Sequence, residues 1–168
     1  MRQDKSSVPR QVGRDTDGHF GQLAVLILGC TVCACDGNPQ DEARVRPHGQ
    51  ALYEVSCAAC HEKDGQGKTG VASPLAGSEW VTGPAGRLTR IALHGVRGEI
   101  TVRGSRYNLE MPAFAHIFND TDLAAILSYV RAAWGNKAPE VTATSIGTLR
   151  RRFGQRDSWT EEELLETE

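Results

Sequence analysis

The chain has 168 residues, of which 39% are apolar, 24% charged and 6% aromatic, and its formal net charge is −2. This is the balance of an ordinary soluble globular chain, and it gives no reason to expect a nucleic-acid partner. Aromatic residues are few, so a large flat apolar cofactor could help to complete the core.

Residues 1–19 are polar and mixed in charge, and an uninterrupted apolar run follows from Leu23 to Cys35. That run is short of the ~20 residues needed to cross a bilayer and suits the apolar stretch of an export signal. Small residues precede cysteines at Gly29-Cys30 and Ala34-Cys35, a pattern similar to the lipobox of bacterial lipoproteins. Residues 1–35 are therefore expected to be an export signal. Either it ends in a lipidated Cys30 or Cys35, or it is simply cleaved or kept as an anchor. The mature chain is expected in the periplasm or another extracytoplasmic compartment, held at the membrane. Residues 36–46, rich in Gly, Pro and charge, read as a linker.

The folded domain is expected over 47–136. Gln50 to Cys57 has helical spacing, residues 62–79 read as an ordered loop, and Arg87 to Val96 reads as a helix stopped by Gly95 and Gly98. Residues 98–113 read as loop or short extended structure. Asn119 is the expected N-cap of the clearest helix, with Asp122 three residues on. Leu123, Ile126, Leu127, Val130 and Trp134 then form one apolar stripe, ended by Gly135. Residues 137–168 read as a charged tail, with Arg150-Arg151-Arg152 and Glu161-Glu162-Glu163.

The five cysteines form two groups, and an odd count argues against a simple disulfide framework. The second group is Cys57-Ala58-Ala59-Cys60-His61, the attachment signature of a c-type haem. Each thiol adds across one vinyl group, forming a thioether, and the two-residue gap matches the spacing of the vinyls. The adjacent His61 then faces the iron. A thioredoxin-like dithiol would need a βαβ context, and the flanks here are helical. A zinc site would need a second close pair of ligands, which does not follow. A disulfide between Cys57 and Cys60 would close only a tiny loop.

The sixth iron ligand is expected to be Met111. Apart from Met1 it is the single methionine, and Pro112 biases it away from helix. His94 and His116 are the rival ligands. A lone methionine is ordinarily core filler, but a Met-Pro pair fifty residues beyond His61 suits a ligand. Thioether ligation raises the reduction potential relative to two histidines.

From about residue 47 to 136 the chain resembles class I (mitochondrial-type) cytochrome c domains. The resemblance rests on the helix running into the attachment motif, on Asp64-Gly65-Gln66-Gly67, on Pro74-Leu75-Ala76-Gly77-Ser78, on Met111-Pro112 and on the last helix. More finely, Ser78-Glu79-Trp80-Val81-Thr82-Gly83-Pro84, Leu93-His94-Gly95-Val96 and Trp134-Gly135-Asn136 look like the cytochrome modules of bacterial sugar or alcohol dehydrogenases. The resemblance implies an all-α fold of three to five helices around one covalent haem c. It implies that the Pro74 carbonyl accepts from His61 Nδ1–H, and that Gly65 and Gly67 let the backbone pass the porphyrin. Trp80, Arg87 and Arg90 become candidates to meet the propionates. Tyr53 and Trp134 would pack where the terminal helices cross.

The expected function is one-electron transfer, not catalysis. The electron donor would be a dehydrogenase, and the acceptor a terminal oxidase or another cytochrome. The alternative is a haem enzyme or gas sensor in which Met111 is displaced.

Overall fold

The computed structural model describes residues 39–108 and 110–167, with side chains from Arg46 onward. The expected export signal, with Cys30, Cys33 and Cys35, lies outside the described residues.

Helix α1 (Pro39–Ser56) runs into α2 (Ala58–His61). Most of the expected 36–46 linker is therefore helical, and Pro47 lies inside α1. Helices α3 (Glu79–Thr82) and α4 (Ala85–His94) follow. Strands β1 (Glu99–Val102) and β2 (Ser105–Asn108) pair as an antiparallel hairpin, with Ile100 opposite Tyr107. Helix α5 (Asp120–Ala132) precedes α6 (Ala143–Phe153) and α7 (Glu161–Glu166). The described residues thus hold seven helices and one short hairpin. The strands occupy part of the segment read as loop or short extended structure.

Helix α5 forms as its sequence dictates. The Asn119 side chain accepts from the Asp122 amide at 2.9 Å, capping one orphan donor of the first turn. The reciprocal half of a capping box is absent, because Asp122 is one carbon shorter than Glu. Its carboxylate instead accepts from the Asn119 side-chain amide and bonds His48. The helix stops at Ala132, so Trp134 falls beyond it with a φ of 54°. Helix α4 stops at Gly95, whose φ of 78° suits glycine.

α1 crosses α5 closely at Gly49. A Cβ on Gly49 would lie 2.1 Å from the Ala125 carbonyl oxygen, so a glycine is required there. Beyond that crossing, Tyr53 stacks obliquely on Tyr129 and Trp134, with ring centroids 5.5 and 5.1 Å away. The main core gathers Tyr53, Leu88, Leu93, Leu123, Leu127 and Ile146. A second cluster joins Trp80, Ile91, Val96, Ile100, Trp159 and Leu164.

Ile146, Trp159 and Leu164 belong to the segment expected to be a charged tail, and that expectation is corrected here. Each is almost fully buried. Truncating a buried Trp or Leu typically costs about 2–5 kcal/mol, against total stabilities of about 5–15 kcal/mol. The segment is part of the domain. Its few apolar positions sit one or two per turn among charges, so no continuous stripe announces them.

Candidate cofactor site

α1 turns once at Cys57 and restarts as α2. The Cys57 amide donates to Tyr53 carbonyl at 2.8 Å, and the His61 amide to Cys57 carbonyl at 2.9 Å. Helical spacings of three and four residues bring Cys57, Cys60 and His61 together on one surface. All three line a cavity of about 190 Å³, whose other walls are mainly apolar, including Leu75, Val81, Ile91 and Leu127. Met111 lines the same cavity. The four predicted site residues therefore converge on one space.

His61 Nδ1 lies 3.0 Å from the Ser73 carbonyl oxygen. A carbonyl can only accept, so Nδ1 carries the proton and Nε2 keeps its lone pair. Burial lowers the His61 pKa, opposed by the bond to Ser73. The imidazole is thus held neutral, the form that binds metal. The acceptor expected from the resemblance was Pro74, and the structure corrects it to the preceding residue. The loop is pinned when the Gly67 amide donates to His61 carbonyl and the Leu75 and Ala76 amides donate to Gly65 carbonyl. That folding turns the Ser73 carbonyl onto the ring.

Gly65 and Gly67 have φ of 68° and 72°. Their close neighbours are protein. A Cβ on Gly65 would strike the Trp134 ring at 2.4 Å, and one on Gly67 the Ala72 carbonyl oxygen at 2.5 Å.

Met111 is fixed through its backbone. Its amide donates to Val96 carbonyl at 2.9 Å, and the Val96 amide returns a bond to Met111 carbonyl at 3.1 Å. Beyond Pro112, Phe114 and Ala115 amides donate to Ala92 and Leu93 carbonyls of α4. The rival histidines do not line the cavity. His94 is buried and edges against Phe153 and Trp159, and His116 is exposed.

Of the propionate candidates, Trp80 alone lines the cavity, and its indole N–H donates to Thr101 carbonyl at 2.7 Å. Arg87 lies over the Trp80 ring. Arg90 is buried, donating to the Thr167 and Leu164 carbonyls at 2.6 and 3.2 Å.

Three contributors escaped the sequence reading. Ser73 acts through a backbone carbonyl, which carries no residue signature. Asn136 joins α5 to the loop below the cavity, donating to Val130 and Leu75 carbonyls and accepting from the Gly77 amide. It stood in the Trp134-Gly135-Asn136 motif without a role. Arg131, nearly buried, donates to the Val81 and Gly83 carbonyls.

The residues present fit a covalently held haem. Two thiols, one neutral imidazole and one thioether line an otherwise mainly apolar cavity. The imidazole nitrogen and the soft thioether sulfur are donors suited to iron in a macrocycle, and the thiols are the groups that would add to its vinyls. Burial, aided by the neighbouring Cys60, pushes the Cys57 pKa up to about 11, so at neutral pH it is a thiol. Among the described residues no group of three or more His, Cys, Asp or Glu side chains could hold a metal ion, so the zinc reading finds no further ligands.

Comparison with known proteins gives concordant results. The family profile described as cytochrome c oxidase, cbb3-type, subunit III matches residues 45–130. Two proteins of Thermus thermophilus named cytochrome c-552 are similar to this chain. One is 38% identical over 98 residues, covering 56% of this chain and 65% of the relative. The other is 39% identical over 92 residues, covering 52% and 69%. The gluconate 2-dehydrogenase cytochrome c subunit of Pantoea cypripedii is 36% identical over 110 residues, covering 61% of this chain but 24% of that subunit. The chain thus spans about two thirds of the length of the Thermus proteins and about a quarter of the dehydrogenase subunit.

Proposed function

The chain belongs to the cytochrome c family, and from that premise we propose that it is a one-electron carrier. Cys57 and Cys60 would hold one haem c covalently, and His61 and Met111 would supply the nitrogen and sulfur ligands to its iron. Bound there, the haem supplies an iron that cycles between ferric and ferrous states. The protein's own residues do the rest. Ser73 fixes the His61 tautomer, so that Nε2 is the nitrogen available to iron. The apolar walls exclude water, and the backbone bonds of Met111 keep its thioether at the cavity.

The observation that carries this reading is the convergence of Cys57, Cys60, His61 and Met111 on one mainly apolar cavity. The domain is read as a class I cytochrome c fold around a single haem. The donor is read as a dehydrogenase, in keeping with the relative from Pantoea cypripedii. The acceptor is read as a terminal oxidase or another cytochrome, in keeping with the name of the matching family. The Leu23–Cys35 run would export the chain, and lipidation at Cys30 or Cys35 would tether it at the membrane. Among the described residues no helix is long and apolar enough to cross a membrane. Mass spectrometry of the mature N-terminus tests the tether, and an unmodified N-terminus removes it.

Haem content and ferric spectra of protein matured in a periplasm test the carrier. The expected result is one covalent haem per chain and the weak long-wavelength ferric band of sulfur–iron ligation. A colourless product sinks the haem assignment. A haem protein that lacks the band and binds carbon monoxide readily is instead the enzyme or sensor.

A further inference from the structure

Met111 is one rung of a longer ladder. Its partner Val96 also pairs, in parallel, with Trp159 from the C-terminal segment. The Trp159 amide donates to Gly95 carbonyl at 3.1 Å, and the Arg97 amide donates to Trp159 carbonyl at 2.8 Å. Three separate stretches of chain therefore meet at residues 95–97, with Met111 on one side and Trp159 on the other. There is little slack between them. A Cβ on Gly95 would lie 2.2 Å from the Met111 carbonyl oxygen.

Side chains reinforce the ladder. Trp159 is 2% exposed and shares a cluster with Val96, against which Met111 packs. Arg90 in α4 donates to the Leu164 carbonyl and fastens the segment beyond Trp159. A second handhold lies earlier. Arg150 of α6 bonds the Ala115 and Phe118 carbonyls in the turn that follows Met111, and its guanidinium pairs with Asp120 at 2.8 Å. The segment thus grips the Met111 loop from behind and from its exit. The matched family domain ends at residue 130, so both handholds lie outside it.

We propose that residues 137–167 form a strap that holds Met111 in the cavity, with Trp159 as its positioning residue. This rests on the reading of Met111 as the sixth ligand. The physical consequence is a shifted equilibrium. With the strap intact, the conformer in which Met111 has left the cavity is rare, and an external ligand binds only to that rare state. Loosening the strap raises the population of that state, and the apparent affinity of the external ligand rises by the same factor.

The test uses full-length ferric holoprotein and imidazole as the competing ligand. Apparent imidazole affinity and the long-wavelength sulfur–iron band are measured in the native protein and in Trp159→Ala, Trp159→Phe, Arg150→Gln and Met111→Ala. Tyr129→Ala serves as the control, because it loosens the α1–α5 crossing through its ring contact with Tyr53 on the wall opposite Met111, and Tyr129 itself is neither in the ladder nor a lining residue. The expected result is about a tenfold tighter imidazole affinity in Trp159→Ala, within the usual range of coupling between distant groups. Trp159→Phe and Arg150→Gln should give smaller gains in the same direction, and Tyr129→Ala none. If Trp159→Ala fails to accumulate, the other two strap variants decide. Unchanged imidazole affinity in the strap variants overturns the strap while leaving the ligand assignment standing. So does an equal gain in Tyr129→Ala, which would make the effect one of general stability. If the native protein lacks the band, or Met111→Ala keeps it, the ligand assignment fails and takes the strap with it.

Discussion

The two walls of the cavity are built on different principles. The wall carrying Cys57, Cys60 and His61 is local. Five consecutive residues on one helical turn supply three functional groups, and the acceptor for His61 lies only twelve residues away. The wall carrying Met111 is assembled from afar. Its backbone partner lies fifteen residues back, at Val96, and that partner is braced by Trp159, sixty-three residues further on. A covalent anchor tolerates a simple support, because a thioether does not dissociate. A coordinate bond from a thioether is weak and reversible, so the surrounding protein must supply the constraint.

Replacing both Cys57 and Cys60 by Ala tests the local wall and has the largest expected effect. Covalent haem should vanish, read as loss of haem staining on a denaturing gel. Met111→Ala strikes the distant wall and should leave covalent haem intact. Its reduction potential should fall by roughly a hundred millivolts or more, a fraction of the ~0.8 V range that axial ligands command. Redox titration measures this, and an unchanged potential would contradict Met111 ligation. Gly95→Ala forces a side chain onto a residue at positive φ, against the Met111 carbonyl. A stability loss of about 2 kcal/mol or more is expected, read by denaturant unfolding. Tyr53→Phe returns to the local wall. It removes the hydroxyl that donates to Glu62 carbonyl at 2.6 Å, and about 1 kcal/mol should be lost.

The walls should also differ in their response to pH. Tyr53 lies beneath the attachment turn. Burial raises its pKa, and Cys57, Tyr129, Asp64 and Glu62 push the same way. Its folded pKa exceeds the unfolded value near 10, so its contribution is present below about pH 10 and is lost as pH rises further. His94 lies under the strap. Burial lowers its pKa, aided by the charges of Arg156 and Arg150. Its contribution is present above the unfolded value near 6.5 and is lost as pH falls. Unfolding free energy measured against pH should therefore flatten at the alkaline end in Tyr53→Phe and at the acid end in His94→Phe. The same slope in native and variant proteins would reject the assignment.

Local features were legible in the sequence, and remote ones were not. The attachment motif, the Met-Pro pair, the Asn119 cap and the Leu123–Val130 stripe depend on neighbours a few residues away, so spacing reveals them. The Ser73 acceptor was misassigned by one residue because every residue has a carbonyl and only the loop's path selects one. Arg90 looked like a propionate partner, but it instead fastens the carbonyls of α7 and its end. Trp159 and Ile146 were hidden in a charged stretch, since an isolated apolar residue has no period. Trp134 continued the α5 stripe on paper, yet the helix ends before it, and its ring reaches Tyr53 from a left-handed turn.

The long span between Arg90 and Thr167, seventy-seven residues apart, also bears on kinetics. Contacts that close large loops form late in folding, after local helices. An interaction absent from the transition state leaves the folding rate nearly unchanged and slows unfolding instead. The C-terminal segment should therefore act as a brake on opening. Weakening one of its late contacts, as in Trp159→Ala, should leave the folding rate almost unchanged and speed unfolding.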